Sequence, residues 1–178
     1  PWAATEKAQQ LFSAQQANYM VIGYYHSGYE AKLLRLAADR GIDAAVAVKG
    51  EEGSSHYALR LAKPTSADRK AINFAQGFRL VRKQQVKFAM DIDPKTYGFD
   101  YQTNPRPTVV TAKSFAQAGL SALSGQKGPI YDRLILNTAV TDYLLGLDSD
   151  PYHAIEQARV VVDNGQALAH LNRYLEKQ

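Results

Sequence analysis

An α/β fold is what this sequence predicts: helices flanking a mostly parallel sheet built on a βαβ unit, and a helical C-terminal region around one buried helix. Three observations predict it. Tyr19–Tyr25 and Ile42–Val48 are β-branched, aromatic and apolar runs of strand length, separated by a helical stretch of about three turns. From Thr111 onward the pattern turns wholly helical. Within that region Pro129–Leu145 places Ile130, Leu134 and Leu145 on one arc and Leu136, Ala139, Val140 and Tyr143 on the opposite one. A helix apolar nearly all round is a buried one.

In chain order, residues 3–17 hold good helix formers with a thin apolar face and predict a short helix. Tyr19–Tyr25 is the first strand, closed by the turn His26-Ser27-Gly28. Leu33, Leu34, Leu36, Ala37 and Ala38 mark a helix over 29–40, stopped by Gly41. The second strand, Ile42–Val48, ends at Lys49-Gly50 and opens into the polar loop Glu51–His56. Tyr57–Leu61 reads as a short strand, and Lys63-Pro64-Thr65-Ser66 closes it and can cap a helical turn.

Around Phe78–Met90 apolar and basic residues partly alternate, which predicts one or two strands with a wet face. Asp93-Pro94, Tyr97-Gly98 and Asn104-Pro105 place an ordered surface loop over 91–107. A helix over 111–124 follows. Gly128-Pro129 starts the buried helix, Pro being pre-shaped for a first turn. Asp150-Pro151 caps and starts the next, with Ala154, Ile155, Ala158, Val161 and Val162 as one stripe, and Asn164-Gly165 ends it. The last helix repeats the stripe with Ala167, Leu168, Leu171, Tyr174 and Leu175. No repeat or composition break divides the chain, so residues 1–178 read as a single domain.

The composition excludes several classes. With no cysteine, disulfides, thiolate metal sites and cysteine nucleophiles are ruled out. The 46% apolar and 10% aromatic content rules out a disordered chain. No apolar run is long enough to cross a membrane, and the opening segment from Pro1 has no signal-peptide pattern, so the expected compartment is the cytoplasm, with no membrane partner. The net charge of +4 is uneven: Lys63, Arg69, Lys70, Arg79, Arg82, Lys83 and Lys87 face Asp68 alone. Arg79, Arg82, Lys83 and Lys87 are therefore candidates for binding an anionic partner such as nucleic acid, with Tyr and Phe nearby for stacking. A solvated strand edge is the alternative.

Other candidates gather after the strands, at the sheet edge where open α/β folds hold ligands. Glu51 and Glu52 are candidate metal ligands, and solvated loop carboxylates are the ordinary alternative. His26 and His56 both follow strands and could form an acid–base or metal pair. Asn137 on the buried helix reads as a satisfied structural amide, and Asp132 and Arg133 as a pair or cap at its start. P-loop, Ser-His-Asp and paired-acid patterns are absent from the sequence.

Three segments together resemble the C-terminal half of the anthranilate phosphoribosyltransferase family, in a divergent branch. They are Val48-Lys49-Gly50-Glu51-Glu52-Gly53, Asp93-Pro94-Lys95-Thr96-Tyr97-Gly98-Phe99, and Leu123–Ala139 with its Gly125-x-x-Gly128-Pro129-x-x-Asp132-x-x-x-Leu136-Asn137-x-Ala139 pattern. Asp163–Leu168 is similar to the family's closing helix turn. The resemblance implies glycosyl (phosphoribosyl) transfer, Mg²⁺ on the substrate phosphates, and a homodimer. It also implies an N-terminal half carrying the Gly-Thr-Gly-Gly-Asp pyrophosphate loop and the Lys-His-Gly-Asn-Arg segment, neither of which occurs in this sequence. Where the family has His-Gly followed by an Asp-Glu pair, this chain has Lys49-Gly50 with Ser55 and His56, while Glu51 and Glu52 are out of register. His26, Lys49, Glu51, Glu52, Ser55 and His56 are thus the expected border of a substrate cleft, and transfer is expected only if another half completes the protein. A further reading gives the helical layer a structural role as a partner-binding surface.

Overall fold

The computed structural model describes residues 18–24, 26, 28–51, 54–60 and 73–177. The helix expected over 3–17, the turn over 63–66 and Glu52 lie outside them. Strand β1 (Tyr19–Gly23), helix α1 (Tyr29–Asp39) and strand β2 (Ala44–Lys49) form the expected βαβ unit. Strands β3 (Phe74–Val81) and β4 (Gln84–Asp91) follow, then a 3-10 turn at Pro94–Tyr97. Helices α2 (Ala112–Leu123), α3 (Pro129–Leu145), α4 (Pro151–Asp163) and α5 (Gln166–Leu175) complete the described elements.

The sheet order is β1-β2-β3-β4, with β1–β2 parallel and both other pairings antiparallel. The sheet is therefore mixed: the βαβ unit supplies its parallel pair, and the expected parallel majority gives way to a hairpin. The β3–β4 connection, Arg82-Lys83, has positive φ at both residues, 51° and 65°. That backbone matches the twist of a two-residue hairpin but is usually carried by Asn and Gly, so the alternation around 78–90 hid its turn.

Period two in the strands sends side chains into two cores. Ile22, Leu33, Ala37, Ala45 and Phe78 pack on the α1 side. Val46, Val48, Ala75 and Ile92 meet Ile135, Leu136, Ala139 and Val140 of α3 on the other. Helix α3 is the centre of that second core: seven of its 17 residues are buried, and only Pro129 and Thr138 are exposed. Gly128 precedes it with Pro129 in its first turn, and Gly146 ends it at φ 79°. Asp150 caps α4 by accepting from the Tyr152 N–H at 3.0 Å. The loop over 91–107 is ordered but only partly superficial, because Pro94 is buried and Ile92, Tyr97 and Phe99 are buried in the α3-side core. No helix among the described residues is long and apolar enough to cross a membrane.

Candidate functional site

Residues 57–60, expected as a strand, join no sheet among the described residues, and the chain bends at Leu59 and Arg60. Three asparagines take the place of strand neighbours. Asn137 Oδ1 accepts from the Tyr57 N–H at 2.6 Å, and its Nδ2 donates to the Tyr57 carbonyl at 3.0 Å. Asn73 does the same for Ala58, at 2.9 and 2.7 Å. Asn104 Oδ1 accepts from the Arg60 N–H at 2.9 Å. A side-chain amide offers the same donor and acceptor as a peptide, so it can satisfy a backbone that has no ladder. Asn137 is the satisfied structural amide its sequence context suggested; Nδ2 also donates to the Arg133 carbonyl at 2.8 Å.

Upstream, the polar loop is held by charge. Glu51 accepts from Arg133 on Oε2 at 3.1 Å and from Arg106 on Oε1 at 3.3 Å. Asp132 and Arg133 do not pair with each other, since neighbours on a helix point apart. Asp132 instead accepts from the Tyr101 hydroxyl, whose pKa burial and that carboxylate together push up to about 12. The Glu51 N–H donates to the His56 carbonyl at 3.0 Å, which closes the loop. Gly50 permits this closure: a Cβ there would fall 1.9 Å from the same carbonyl oxygen. Gly50 thus serves a turn.

A cleft of about 510 Å³ opens beside this loop, between β1, α2 and α3. One face of α3 lines it at helical spacing, through Ile130, Arg133, Leu134, Asn137, Thr138, Thr141 and Asp142. Ser55 and His56 close it near Arg133, and Val21, Ala122 and Leu123 supply apolar walls. Arg133 and Asp142 stand nine residues apart, so opposite charges sit about 14 Å apart along the helix. Burial holds the Asp142 carboxyl above the usual carboxylate range, and Asp148 adds to the effect. The His56 ring keeps an open side, while crowding on its cleft side and the Arg133 guanidinium hold its pKa below the ordinary histidine value, with Glu51 opposing.

Of the expected cleft residues, the structure brings Glu51, Ser55 and His56 together with Arg133. Lys49 lies half-buried at the end of β2, on the approach to the loop. His26 is exposed beyond β1 and is not among the residues lining the cleft. The basic candidates divide. Arg79 turns to the α3 side, donating to the Tyr143 carbonyl at 2.6 Å with its guanidinium 5.6 Å from that ring's centre. Lys87, registered opposite Phe78, points to the α1 side of the sheet. Arg82 and Lys83 stand at the hairpin tip. Sequence reasoning missed Arg106 and Asn73 altogether; their roles depend on contacts 55 and 15 residues away.

For Mg²⁺, the described loop offers one carboxylate, Glu51, already opposed by two guanidinium groups. Among the described residues no group of three or more His, Asp or Glu side chains could hold a metal. The residues described do not fit a resident divalent ion.

No protein-family model matches the chain. Over 165 residues, 92% of its length, it is 25% identical to a curated anthranilate phosphoribosyltransferase from Legionella pneumophila, covering 43% of that protein. Over 87 residues it is 37% identical to the enzyme of that name from a Thermoanaerobacter species. Its fold matches solved anthranilate phosphoribosyltransferases. That of Saccharomyces cerevisiae, in a variant with Mg bound, gives a TM-score of 0.64 at 17% identity, over 91% of this chain and 43% of that one. That of Thermus thermophilus gives 0.55 at 18%, over 86% and 41%. The chain spans less than half the length of the curated relatives it matches.

Proposed function

We propose that this chain, related over about nine-tenths of its length to the C-terminal half of the anthranilate phosphoribosyltransferases, supplies one wall of a transferase cleft. The pyrophosphate loop would come from an N-terminal half. The observation that carries this reading is the coincidence of that partial coverage with the cleft between β1, α2 and α3. In it the polar loop of the βαβ unit and one face of α3 meet, at the edge where open α/β sheets hold ligands. The chain's own residues then position and orient: Asn137 and Asn73 fix the backbone after the loop, and Glu51 ties the loop to Arg133 and Arg106. Divalent metal, if the assembled protein uses it, is held chiefly outside the described residues. A homodimer and a cytoplasmic location belong to the same reading.

The test is pyrophosphate release from phosphoribosyl pyrophosphate with anthranilate as first acceptor. It is run on the chain alone and on the chain joined to the N-terminal portion of the Legionella relative. The chain alone is expected to give the buffer rate, and the joined protein a rate above it. A folded joined protein that stays at the buffer rate with every acceptor tried would refute the transferase reading.

The rival is an anionic partner, such as nucleic acid, bound through Arg79, Arg82, Lys83 and Lys87. It is tested by titrating labelled single-stranded DNA at two salt concentrations. Affinity that falls with salt and with Arg82→Ser and Lys83→Ser supports it; affinity unmoved by either refutes it.

A further inference from the structure

At one end of the cleft three side chains carry hydrogen-bond donors that have no partner among the described residues. Arg133 gives only Nη1 to the fold, to the Glu51 carboxylate at 3.1 Å and the Pro105 carbonyl at 3.5 Å. Its Nε and Nη2 groups, the Ser55 hydroxyl and the His56 ring make no hydrogen bond among the described residues, and all three residues line the cleft. One amide holds them in place. Asn137 accepts from the Tyr57 N–H, next to His56, at 2.6 Å and donates to the Arg133 carbonyl at 2.8 Å. Loop and helix are thus tied together before any ligand arrives, which lowers the cost of binding one. Burial and the Arg133 guanidinium hold the His56 pKa below its ordinary value, so at pH 7.5 the ring is neutral and offers one N–H.

The charges around these donors narrow what they can hold. Glu51 offsets one of the two guanidinium groups it meets, Arg133 and Arg106, so this end of the cleft stays positive. Beyond it the lining passes through Leu134 and Leu123 and ends at Thr138, Thr141 and Asp142. We propose that this end of the cleft binds a phosphomonoester. The Nε–Nη2 edge of Arg133 takes two phosphoryl oxygens side by side, as a guanidinium fork does. Ser55 and His56 donate to the third oxygen, and an uncharged body lies against Leu134 and Leu123. A carboxylate, with two oxygens, meets fewer of these donors, and a diphosphate carries its second charge toward Asp142. The site belongs to this chain by itself and goes beyond the transferase reading, whose own test needs the joined protein.

The experiment titrates the 178-residue chain with phenyl phosphate, inorganic phosphate, pyrophosphate and benzoate at pH 7.5 and constant ionic strength. Calorimetry reads the affinities, and nuclear magnetic resonance follows the His56 ring protons. Phenyl phosphate is expected to bind tightest, about tenfold above inorganic phosphate through burial of its ring, and to shift the His56 signals. Arg133→Lys keeps the charge but loses the fork, and should weaken phenyl phosphate by about tenfold or more. Ser55→Ala, which removes a neutral donor, should weaken it by about fivefold. If the lysine variant fails to fold, Ser55→Ala and His56→Gln on the partly exposed loop carry the test. Absence of phenyl phosphate binding overturns the proposal, as does binding that leaves the His56 ring unmoved. Affinity unchanged by these variants, or pyrophosphate or benzoate binding more tightly than phenyl phosphate, overturns it as well.

Discussion

Residues 57–60 and residues 51–56 belong to one connection but are held by opposite means. The first stretch is buried at Tyr57, Ala58 and Leu59 and fixed by neutral amides. The second, at its described residues Glu51 and Ser54–His56, is partly exposed and is tied by ion pairs from Glu51 to two arginines. Buried amide bonds are insensitive to salt and costly to break, because a peptide left without a partner keeps its full desolvation penalty. Partly exposed ion pairs are weaker and screened. The difference makes 57–60 the more firmly held stretch and the Glu51 contacts the more easily broken.

The largest test of that contrast is Asn73→Ala. Asn73 is fully buried, and its loss strands both peptide groups of Ala58. The expected cost is about 2–4 kcal/mol in urea unfolding, independent of salt. Asn137→Ala should cost less, because its half-buried site beside the cleft admits water to Tyr57. An Asn73→Ala cost below that of the charge variants would invert the contrast.

Next in size is Arg133→Met, which removes the 3.1 Å bond to Glu51 and a 3.5 Å bond to the Pro105 carbonyl. The two side chains of the pair are 22% and 15% exposed, so the expected loss is about 1–2 kcal/mol at low salt, shrinking as salt rises. A loss unchanged by salt would mean that packing of the arginine stem, rather than charge, holds the loop.

Tyr57→Phe follows, with the opposite sign. The Tyr57 hydroxyl is buried without a hydrogen-bond partner among the described residues, and burial pushes its pKa up. Removing an unsatisfied hydroxyl from a site of the same shape should raise stability by up to about 1 kcal/mol. A fall in the urea midpoint would show that the hydroxyl is satisfied by water or by a residue outside those described.

The same contrast explains what the sequence revealed. Helix α3 was legible because its signals are local: Gly128-Pro129 at its start, Gly146 at its end, and apolar residues on opposing arcs between. The βαβ unit was legible for the same reason. Residues 57–60 have the composition of a strand, but whether a strand pairs depends on neighbours that lie 15 to 80 residues away. The Glu51 loop looked solvated because its arginines, Arg106 and Arg133, come from distant stretches. Arg82-Lys83 hid the hairpin by carrying positive φ without glycine, and the apparent basic face was a reading of composition that the two sides of the sheet divide. Local rules locate elements; sites made of distant partners need the fold.

The smallest effect sharpens the charged side of the comparison. Folding holds the His56 pKa below its ordinary value through burial first and Arg133 second, so across the window between the folded and unfolded values the unfolded chain binds more protons. Stability therefore rises with pH through that window. It is fully present above about 6.5, the unfolded value, and is lost as the pH falls through the folded one. Urea midpoints at pH 7.5 and 5.0 should differ more for the wild-type chain than for His56→Gln, and equal differences would remove His56 as a source of the slope. In Arg133→Met the imidazole should titrate at higher pH, since one of the two causes of its depression is gone, and nuclear magnetic resonance of the ring protons reads this directly. A His56 titration unmoved by Arg133→Met would leave burial as its cause and would break the electrostatic link between the loop and α3.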